Sequence, residues 1–386
     1  DPEMSRGLGD VYKRQRQHYA TFQRMLEGMD VRVAILTGAS KARERREALA
    51  GIADGSIDLL IGTHALIEDR VQFSNLGFVV IDEQHRFGVE QRARLWTKNE
   101  QPPHILVMTA TPIPRTLAMT LYGDLDVSVI DELPPGRQPI RTVHYTDAAR
   151  LRLFGFMRQE IKKGRQIYVV YPLIKESETM DYKDLQDGYE AISRDFPLPE
   201  YVTTICHGKM KPEDKEESMR QFKSGEANIM VATSVIEVGV DVPNATVMVI
   251  ESAERFGLSQ LHQLRGRVGR GSQQSYCILM SGEKLSKEAR LRLEAMCETN
   301  DGFRLAELDL KLRGAGDVNG TLQSGMAFDL KIANPTLDSQ ILTVTREAAA
   351  EVLTADPTLT QNGHEGLREL RKRYSGREEI DFSQIS

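Results

Sequence analysis

The sequence predicts an α/β protein built from two similar domains, each with a parallel sheet, and with a cleft between them. Short apolar runs alternate with helix-like stretches from Arg16 onwards, and a polar cluster follows most of the runs. Continuous apolar strands of this length are typical of parallel sheets that are covered on both faces. Because ligands bind at the carboxyl ends of such strands, the polar clusters are the first candidates for functional residues.

Each predicted domain contains several strands that end in polar residues. In the first domain the predicted strands are Val31–Leu36, Leu59–Ile61, Phe78–Ile81 and Ile105–Met108. The proline-rich stretch 133–139 then predicts a linker. In the second domain the predicted strands are Ile167–Tyr171, Val202–Cys206, Ile229–Ala232, Val247–Ile250 and Tyr276–Met280.

The expected organisation of the chain has five parts. Residues 1–15 are expected to be a non-native leader because they resemble translated adapter sequence, although an ordinary disordered terminus also fits them. Residues 16–140 and 141–283 are the two α/β domains. Residues 284–330 are expected to form a helical hairpin and a glycine-rich loop, and residues 331–386 a helical segment with a polar end.

The composition argues against several classes of protein. The 386 residues suffice for two or three domains, and the sequence lacks any run of 18 apolar residues that would indicate a membrane span. The three cysteines are isolated, which indicates neither a disulfide framework nor a zinc site and favours a reducing cytoplasm. The net charge of −6 argues mildly against a nucleic-acid partner, but a local basic groove is compatible with it.

Two adjacent acids end the apolar run of "FVVIDEQHRFGVEQR", residues 78–92. Phosphoryl transfer to water is the nucleotide chemistry that needs two adjacent acids: one carboxylate holds Mg²⁺ through its water shell, and the other polarises the attacking water. The alternative is a solvated strand end, which is common after an apolar run. Gln84 and His85, which follow the two acids, make the functional interpretation sharper.

The stretch "QLRGRVGRG", residues 263–271, places two arginines three residues apart. On one helical face, Arg267 and Arg270 are suited to stabilise charge on a transferring phosphate. The alternative is a basic surface helix. Glycine weakens a helix by about 1 kcal/mol relative to alanine, so Gly266 and Gly269 require another reason for being there.

In chain order, four stretches resemble the motifs of superfamily 2 helicases: DEQH at 82–85, TATP at 109–112, ATSVIEVGVDVP at 232–243 and QLRGRVGR at 263–270. "VIDEQHRFGVEQR" and "NDGFRLAELDLKLRGAGDVNGTLQSG", residues 300–325, are similar to the RecG family of branch-migrating DNA helicases. Transcription-repair coupling factors share much of this pattern. However, they usually carry DEEH where this chain has Gln84, and they lack NDGF at 300–303.

The resemblance, which covers residues 16 to about 355, implies two RecA-like domains, the first truncated at its amino-terminal end. It implies an ATP-dependent helicase that remodels branched DNA, such as replication forks and Holliday junctions, in recombination and repair. ATP and Mg²⁺ would be the cofactors. Branched or double-stranded DNA would be the partner of a cytoplasmic monomer that does not enter a membrane.

The resemblance also implies a role for each matching residue. The catalytic residues would be Asp82, which also binds the metal, Glu83 as the base, and the finger arginines Arg267 and Arg270. The residues that contact ATP or couple its hydrolysis to motion would be Gln84, His85, Thr109, Thr111, Gly239, Asp241 and Gln263. The residues that contact DNA or drive translocation would be Gly38, Thr63, His64, Arg292, Arg313 and Gln323.

The phosphate-cradling sequence G-x-x-x-x-G-K-[ST] does not occur in these 386 residues. In the family this loop and a DNA-gripping wedge domain lie upstream of residue 16, so we expect the isolated chain to be inactive. Two alternatives remain open: a duplex translocase like the coupling factors, and a non-catalytic DNA-binding module. The intact acids and finger arginines weigh against the second alternative.

Overall fold

The computed structural model describes residues 15–38, 40–68, 70–82, 102–109, 128–130, 132, 136–172, 178–233, 242–313 and 339–374. The chain divides into two compact units. One unit comprises Asp1–Thr111 and Glu132–Leu305, and the other comprises Pro112–Asp131 and Ala306–Ser386.

The described strands all lie in the larger unit. They are β1 (Val33–Leu36), β2 (Leu59–Gly62), β3 (Phe78–Asp82), β4 (His104–Met108), β5 (Arg141–Thr146), β6 (Gln166–Tyr171), β7 (Thr203–Cys206), β8 (Ile229–Thr233), β9 (Ala245–Ile250) and β10 (Tyr276–Ser281). The nine strands predicted from the sequence are confirmed, each to within two residues at either end.

The described helices separate several of the strands, and the last four follow β10. They are α1 (residues 15–25), α2 (Ala42–Ala53), α3 (Arg150–Lys162), α4 (Glu178–Asp195), α5 (Pro212–Ser224), α6 (Leu258–Arg265), α7 (Lys287–Glu298), α8 (Gly302–Arg313), α9 (Ser339–Ala355) and α10 (Glu365–Tyr374). Within the described ranges, no helix is both long and apolar enough to cross a membrane.

The largest sheet has six strands in the order β5-β10-β9-β6-β8-β7, and all of its neighbouring strands are parallel. Its central strands are buried on both faces: every residue of β8 and β9 is buried. Helices α3 and α4 contribute Leu153, Met157 and Leu185 to its core. This arrangement explains the continuous apolar runs in the sequence.

Strand β5 was not predicted. Its sequence, RTVHYT, mixes polar and apolar residues, and it lies at the edge of the six-stranded sheet beside β10. An edge strand is only partly covered and needs no continuous apolar run. The predicted linker therefore leads directly into a strand that the hydrophobic pattern does not reveal.

Strands β1 and β2 form one parallel pair, and β3 and β4 form another. In the second pair, one face carries Ile81 and Ile105 and packs against Ile67. The opposite face exposes 59% of Phe78 and 47% of Leu106. Among the described residues, packing is thus present on one face of this pair.

Gly188 of α4 provides a test of packing against the six-stranded sheet. An added Cβ would overlap Cζ and Oη of Tyr171 at the end of β6, so Gly188→Ala should destabilise the fold by about 1–3 kcal/mol. Gly155 of α3 is the matched control, because nothing lies within 4 Å of its added Cβ. Gly155→Ala should stabilise by about 0.5–1 kcal/mol. Urea unfolding of both variants measures the difference, and equal shifts would contradict this packing.

Candidate functional site

Strands β3 and β4 bring two of the predicted motifs to the same edge. Asp82 is paired in register with Met108, and Thr109 is the next residue along β4. Both Asp82 and Thr109 are exposed at this carboxyl end. The pairing therefore places the first acid of the DEQH stretch beside the first threonine of the TATP stretch. Four further predicted residues of these motifs lie outside the described residues: Glu83, Gln84, His85 and Thr111.

A carboxylate at such an edge is suited to a hard cation, because Mg²⁺ prefers oxygen ligands and keeps several of its waters. Among the residues that the structure describes, no three His, Cys, Asp or Glu side chains converge as a metal site. Asp82 is a candidate ligand on the chemistry of its carboxylate alone.

Strands β1 and β2 form a second edge of the same kind. Leu36 pairs with Gly62, so the residues after each strand emerge side by side. Gly38 is exposed there. Thr63 is 5% exposed, and its Oγ1 accepts a hydrogen bond from the amide of Ala65 at 3.5 Å, which caps a short 3₁₀ turn. Its hydroxyl is thus committed to the turn, while the side chain of His64 lies outside the described part.

The predicted finger arginines follow α6 rather than lying on it. The helix ends at Arg265 with Gly266 as its C-cap, so the expectation that both arginines lie on one helical face is wrong. Gly269 has a φ of +79°, and an added Cβ would come within 2.9 Å of Cγ1 of Ile140. Only glycine tolerates both conditions. Residues 265–270 are hereafter called the finger segment.

The structure places Gln263, Arg267 and Arg270 in half-buried positions near this helix end. The three residues are brought together by the last turn of α6 and the finger segment. Two other residues predicted to contact ATP, Gly239 and Asp241, lie outside the described residues.

Sequence reasoning missed Arg265, which is only 2% exposed. Its Nη1 donates to the backbone oxygens of Met296 at 2.9 Å and Thr299 at 2.8 Å, and it also reaches Oγ1 of Thr142 at 3.4 Å. Its Nη2 lies 2.9 Å from Nδ1 of His262. One buried guanidinium thus joins α6, β5 and the end of α7.

Burial sets the protonation of this pair. Burial, together with the charge of Arg265, lowers the pKa of His262 to about 4. The imidazole is therefore neutral at pH 7, and Nδ1 accepts the hydrogen bond from Arg265. Burial also lowers the pKa of Arg265 below its ordinary value.

Arg292 on α7 was predicted to take part in translocation. Its Nη2 donates to the backbone oxygen of Glu254 at 2.9 Å, while its buried Nε makes no hydrogen bond with any described residue. Arg313 ends α8, but its side chain is outside the described part, as is Gln323. The structure therefore places Arg292 against the turn that precedes α6.

A cavity of about 370 Å³ opens at the carboxyl ends of β6, β9 and β10. Arg150 lines it and forms two hydrogen bonds with the buried Glu251, at 2.8 and 2.9 Å, which raise the pKa of Arg150 above its ordinary value. Ser252 follows with a φ of 48°, in the left-handed region. The polar cluster predicted after β9 therefore lines a cavity, and Arg150 was not anticipated there.

The lowered pKa of His262 predicts a specific loss of stability in acid. As the pH falls from 6.5 towards 4, the unfolded chain binds a proton at this histidine that the folded chain does not bind. The free energy of unfolding should therefore fall by about 2 kcal/mol by pH 5 through this group alone. His262→Gln keeps an acceptor without titrating. Urea unfolding at pH 7.5 and 5 should show a smaller decrease in the variant, and an equal decrease would contradict the assignment.

Three family matches cover most of the chain. Residues 15–120 match the DEAD/DEAH box helicase family, and residues 150–272 match the helicase conserved C-terminal domain. Residues 299–386 match the family described as ATP-dependent DNA helicase RecG, domain 3, C-terminal. With the parallel sheets, these matches confirm the predicted fold class: RecA-like helicase domains followed by C-terminal helices.

Individual relatives are similar to this chain over most of its length. The chain is 50% identical over 359 residues to an ATP-dependent DNA helicase RecG of Synechocystis, covering 93% of this chain and 42% of the relative. It is 49% identical over 340 residues to the RecG of Bacillus subtilis, covering 88% of this chain and 49% of the relative. A solved RecG bound to a three-way DNA junction is 43% identical, with a TM-score of 0.64, over 85% of this chain and 42% of that protein.

The chain spans about half the length of these curated relatives. Its matches include both helicase families and the RecG-specific C-terminal family, and its sequence carries the DEQH and QLRGRVGR motifs in the corresponding order. The chain therefore belongs to the RecG family of superfamily 2 helicases and corresponds to the C-terminal portion of its members.

Proposed function

We propose that the chain is the motor portion of an ATP-dependent helicase that remodels branched DNA. The observation that carries this proposal is the register of β3 and β4, which sets Asp82 beside Thr109 at the carboxyl edge of a parallel pair. In parallel α/β sheets this edge is where ligands bind. The RecG relatives carry the corresponding activity in their names.

The residues at this edge fit part of an ATP and Mg²⁺ site. Bound ATP would supply the phosphoanhydride bond whose hydrolysis drives movement. Asp82 would hold Mg²⁺ through its water shell, and Glu83 would take the proton of the attacking water. Gln84, His85, Thr109 and Thr111 would pass the state of the nucleotide to the rest of the motor. The phosphate-cradling loop that such a site also needs is not among the 386 residues.

Arg267 and Arg270 would reach the terminal phosphate and stabilise the negative charge that develops on it. Their half-buried position directly after α6 supports this role, because a directed guanidinium needs a fixed backbone. Gln263, Gly239 and Asp241 would line the same part of the nucleotide site.

Branched DNA is proposed as the partner because a RecG relative has been solved with a three-way DNA junction. The exposed backbone at Gly38, beside the turn that contains Thr63 and His64, is suited to a phosphate backbone. Arg292, Arg313 and Gln323 would couple translocation to ATP turnover. We propose that the motor acts as a monomer on cytoplasmic DNA.

The proposed roles can be tested in an extended chain, in which the amino-terminal portion of the Synechocystis RecG precedes residue 16 of this chain. We expect DNA-stimulated ATP hydrolysis and fork unwinding. Glu83→Gln and Arg270→Ala should each lower the turnover number on the order of 10³-fold, with DNA affinity nearly unchanged. Steady-state ATPase assays and binding to a labelled fork measure both quantities.

Arg220→Ala is the control, because Arg220 is exposed on α5 and pairs only with the surface residues Glu217 and Glu226 in the described structure. It should leave both quantities unchanged. If Arg270→Ala abolished fork binding and kept normal turnover, the arginine would belong to a basic DNA-binding surface instead. Translocation along linear duplex without fork unwinding would favour a motor like the coupling factors.

The 386-residue chain by itself should hydrolyse ATP negligibly, with or without DNA, because it lacks the lysine and amides that hold the β- and γ-phosphates. Phosphate release from the purified chain measures this. Robust hydrolysis that disappears in Glu83→Gln would show that the phosphates are held by residues other than those of the expected loop.

A further inference from the structure

We propose that Arg265 is a positioning residue that locks the finger segment to α7, so that Arg267 and Arg270 move with that helix. The inference deepens the proposed function and rests on it for the role of the two finger arginines. Arg265 itself is fully covered and cannot touch a nucleotide, since only 2% of it is exposed.

The first support comes from the acceptors that Arg265 selects. The oxygen of Met296 is one of the last carbonyls of α7, and Thr299 is the C-cap residue of that helix. Carbonyls at a helix end lack partners within the helix, and the helix dipole favours a cation there. Arg265 supplies both the donor and the charge, so the end of α6 is fixed on the end of α7.

The second support is that α7 contacts the chain both before α6 and at the end of α6. At the start, Nη2 of Arg292 donates to the backbone oxygen of Glu254 at 2.9 Å, in the turn that precedes α6. At the end, Arg265 donates to Met296 and Thr299. Because α7 holds the chain before this eight-residue helix and at its end, we expect α6 to move with α7.

The third support is the surroundings of the guanidinium. Met296, whose backbone oxygen it contacts, is fully buried, and within the described residues no carboxylate pairs with it. Arg265 also meets Thr142 of β5 and the neutral ring of His262. Water is thus excluded from hydrogen bonds that join three elements, and such bonds are strong and directional.

The finger segment begins at Arg265, so its position is set by this contact. Arg267 and Arg270 follow two and five residues later, with Gly266 and Gly269 allowing the sharp path between them. The chain continues from α7 into α8 and the glycine-rich stretch 310–325. A displacement of α7 would therefore carry the fingers with it.

The experiment compares Arg265→Met, Arg265→Lys and the control Arg290→Met in the extended chain. Arg290 is exposed on α7 and should keep the wild-type turnover number. Arg265→Met should lower the DNA-stimulated turnover number at least tenfold and leave the KM for ATP within about twofold, because the fingers act in the transition state. Arg265→Lys supplies one point charge instead of a forked guanidinium. Its turnover number should therefore lie between that of Arg265→Met and that of the Arg290→Met control.

A triple variant separates positioning from general damage. If Arg265 acts through the fingers, adding Arg265→Met to a variant that carries both Arg267→Ala and Arg270→Ala should cause no further loss of turnover, because both fingers are already absent. A multiplicative loss would overturn the proposal, and so would a folded Arg265→Met with wild-type turnover. If Arg265→Met fails to fold by circular dichroism, a folded Arg265→Lys with the wild-type turnover number would overturn it instead.

Amide hydrogen exchange on the 386-residue chain gives a readout that does not require ATP hydrolysis. In Arg265→Lys, exchange in the finger segment and at residues 295–299 should rise together by at least tenfold, while β8 stays protected. Unchanged exchange in the finger segment would overturn the inference. An inactive wild-type extended chain with the expected exchange would instead count against the proposed function alone.

Discussion

Parallel strand pairing is the constraint on which the candidate site depends. Because parallel neighbours run in the same direction, all carboxyl ends of a sheet meet at one edge. The register of Asp82 with Met108 brings two motifs together that are 27 residues apart in the chain, and the pairing of Leu36 with Gly62 does the same for two others. Backbone hydrogen bonds between the strands thus place polar residues from distant parts of the chain side by side.

The position of the finger segment depends on a helix end and not on strand pairing. It follows a short helix, and its direction depends on where that helix ends and on what holds the end. Gly266 stops α6, Gly269 takes a left-handed conformation against Ile140, and Arg265 binds the carbonyls of α7. The glycines that weaken a helix interior here create the turn that carries two arginines out of the helix. In the proposed function, the sheet edge supplies one half of the chemistry and a helix end supplies the other.

The burial of each strand explains whether the sequence predicts it. Strands such as β8 and β9 are covered on both faces, so they consist almost entirely of apolar residues. The sequence therefore locates them to within two residues. Strand β5 lies at an edge and is written as RTVHYT, which no hydrophobic period reveals. The pair β3 and β4 has the apolar sequence of a doubly covered strand but is packed on one face among the described residues. Hydrophobic runs therefore report what a strand can tolerate, and not which of its faces is covered.

The sequence also does not show which polar residues are buried, and for this reason it did not predict a role for Arg265. Arg265, Arg267 and Arg270 are three arginines within a stretch of six residues, yet the first is buried and the other two are half exposed. The principal acceptors of Arg265 are backbone oxygens of Met296 and Thr299. Because every residue has a backbone oxygen, the sequence does not show which residues accept these hydrogen bonds. A motif thus combines residues that act on a ligand with residues that hold the chain. Since the two kinds differ in burial and in their partners, only the folded structure separates them, and here it separates the buried guanidinium from the two arginines that we propose it positions.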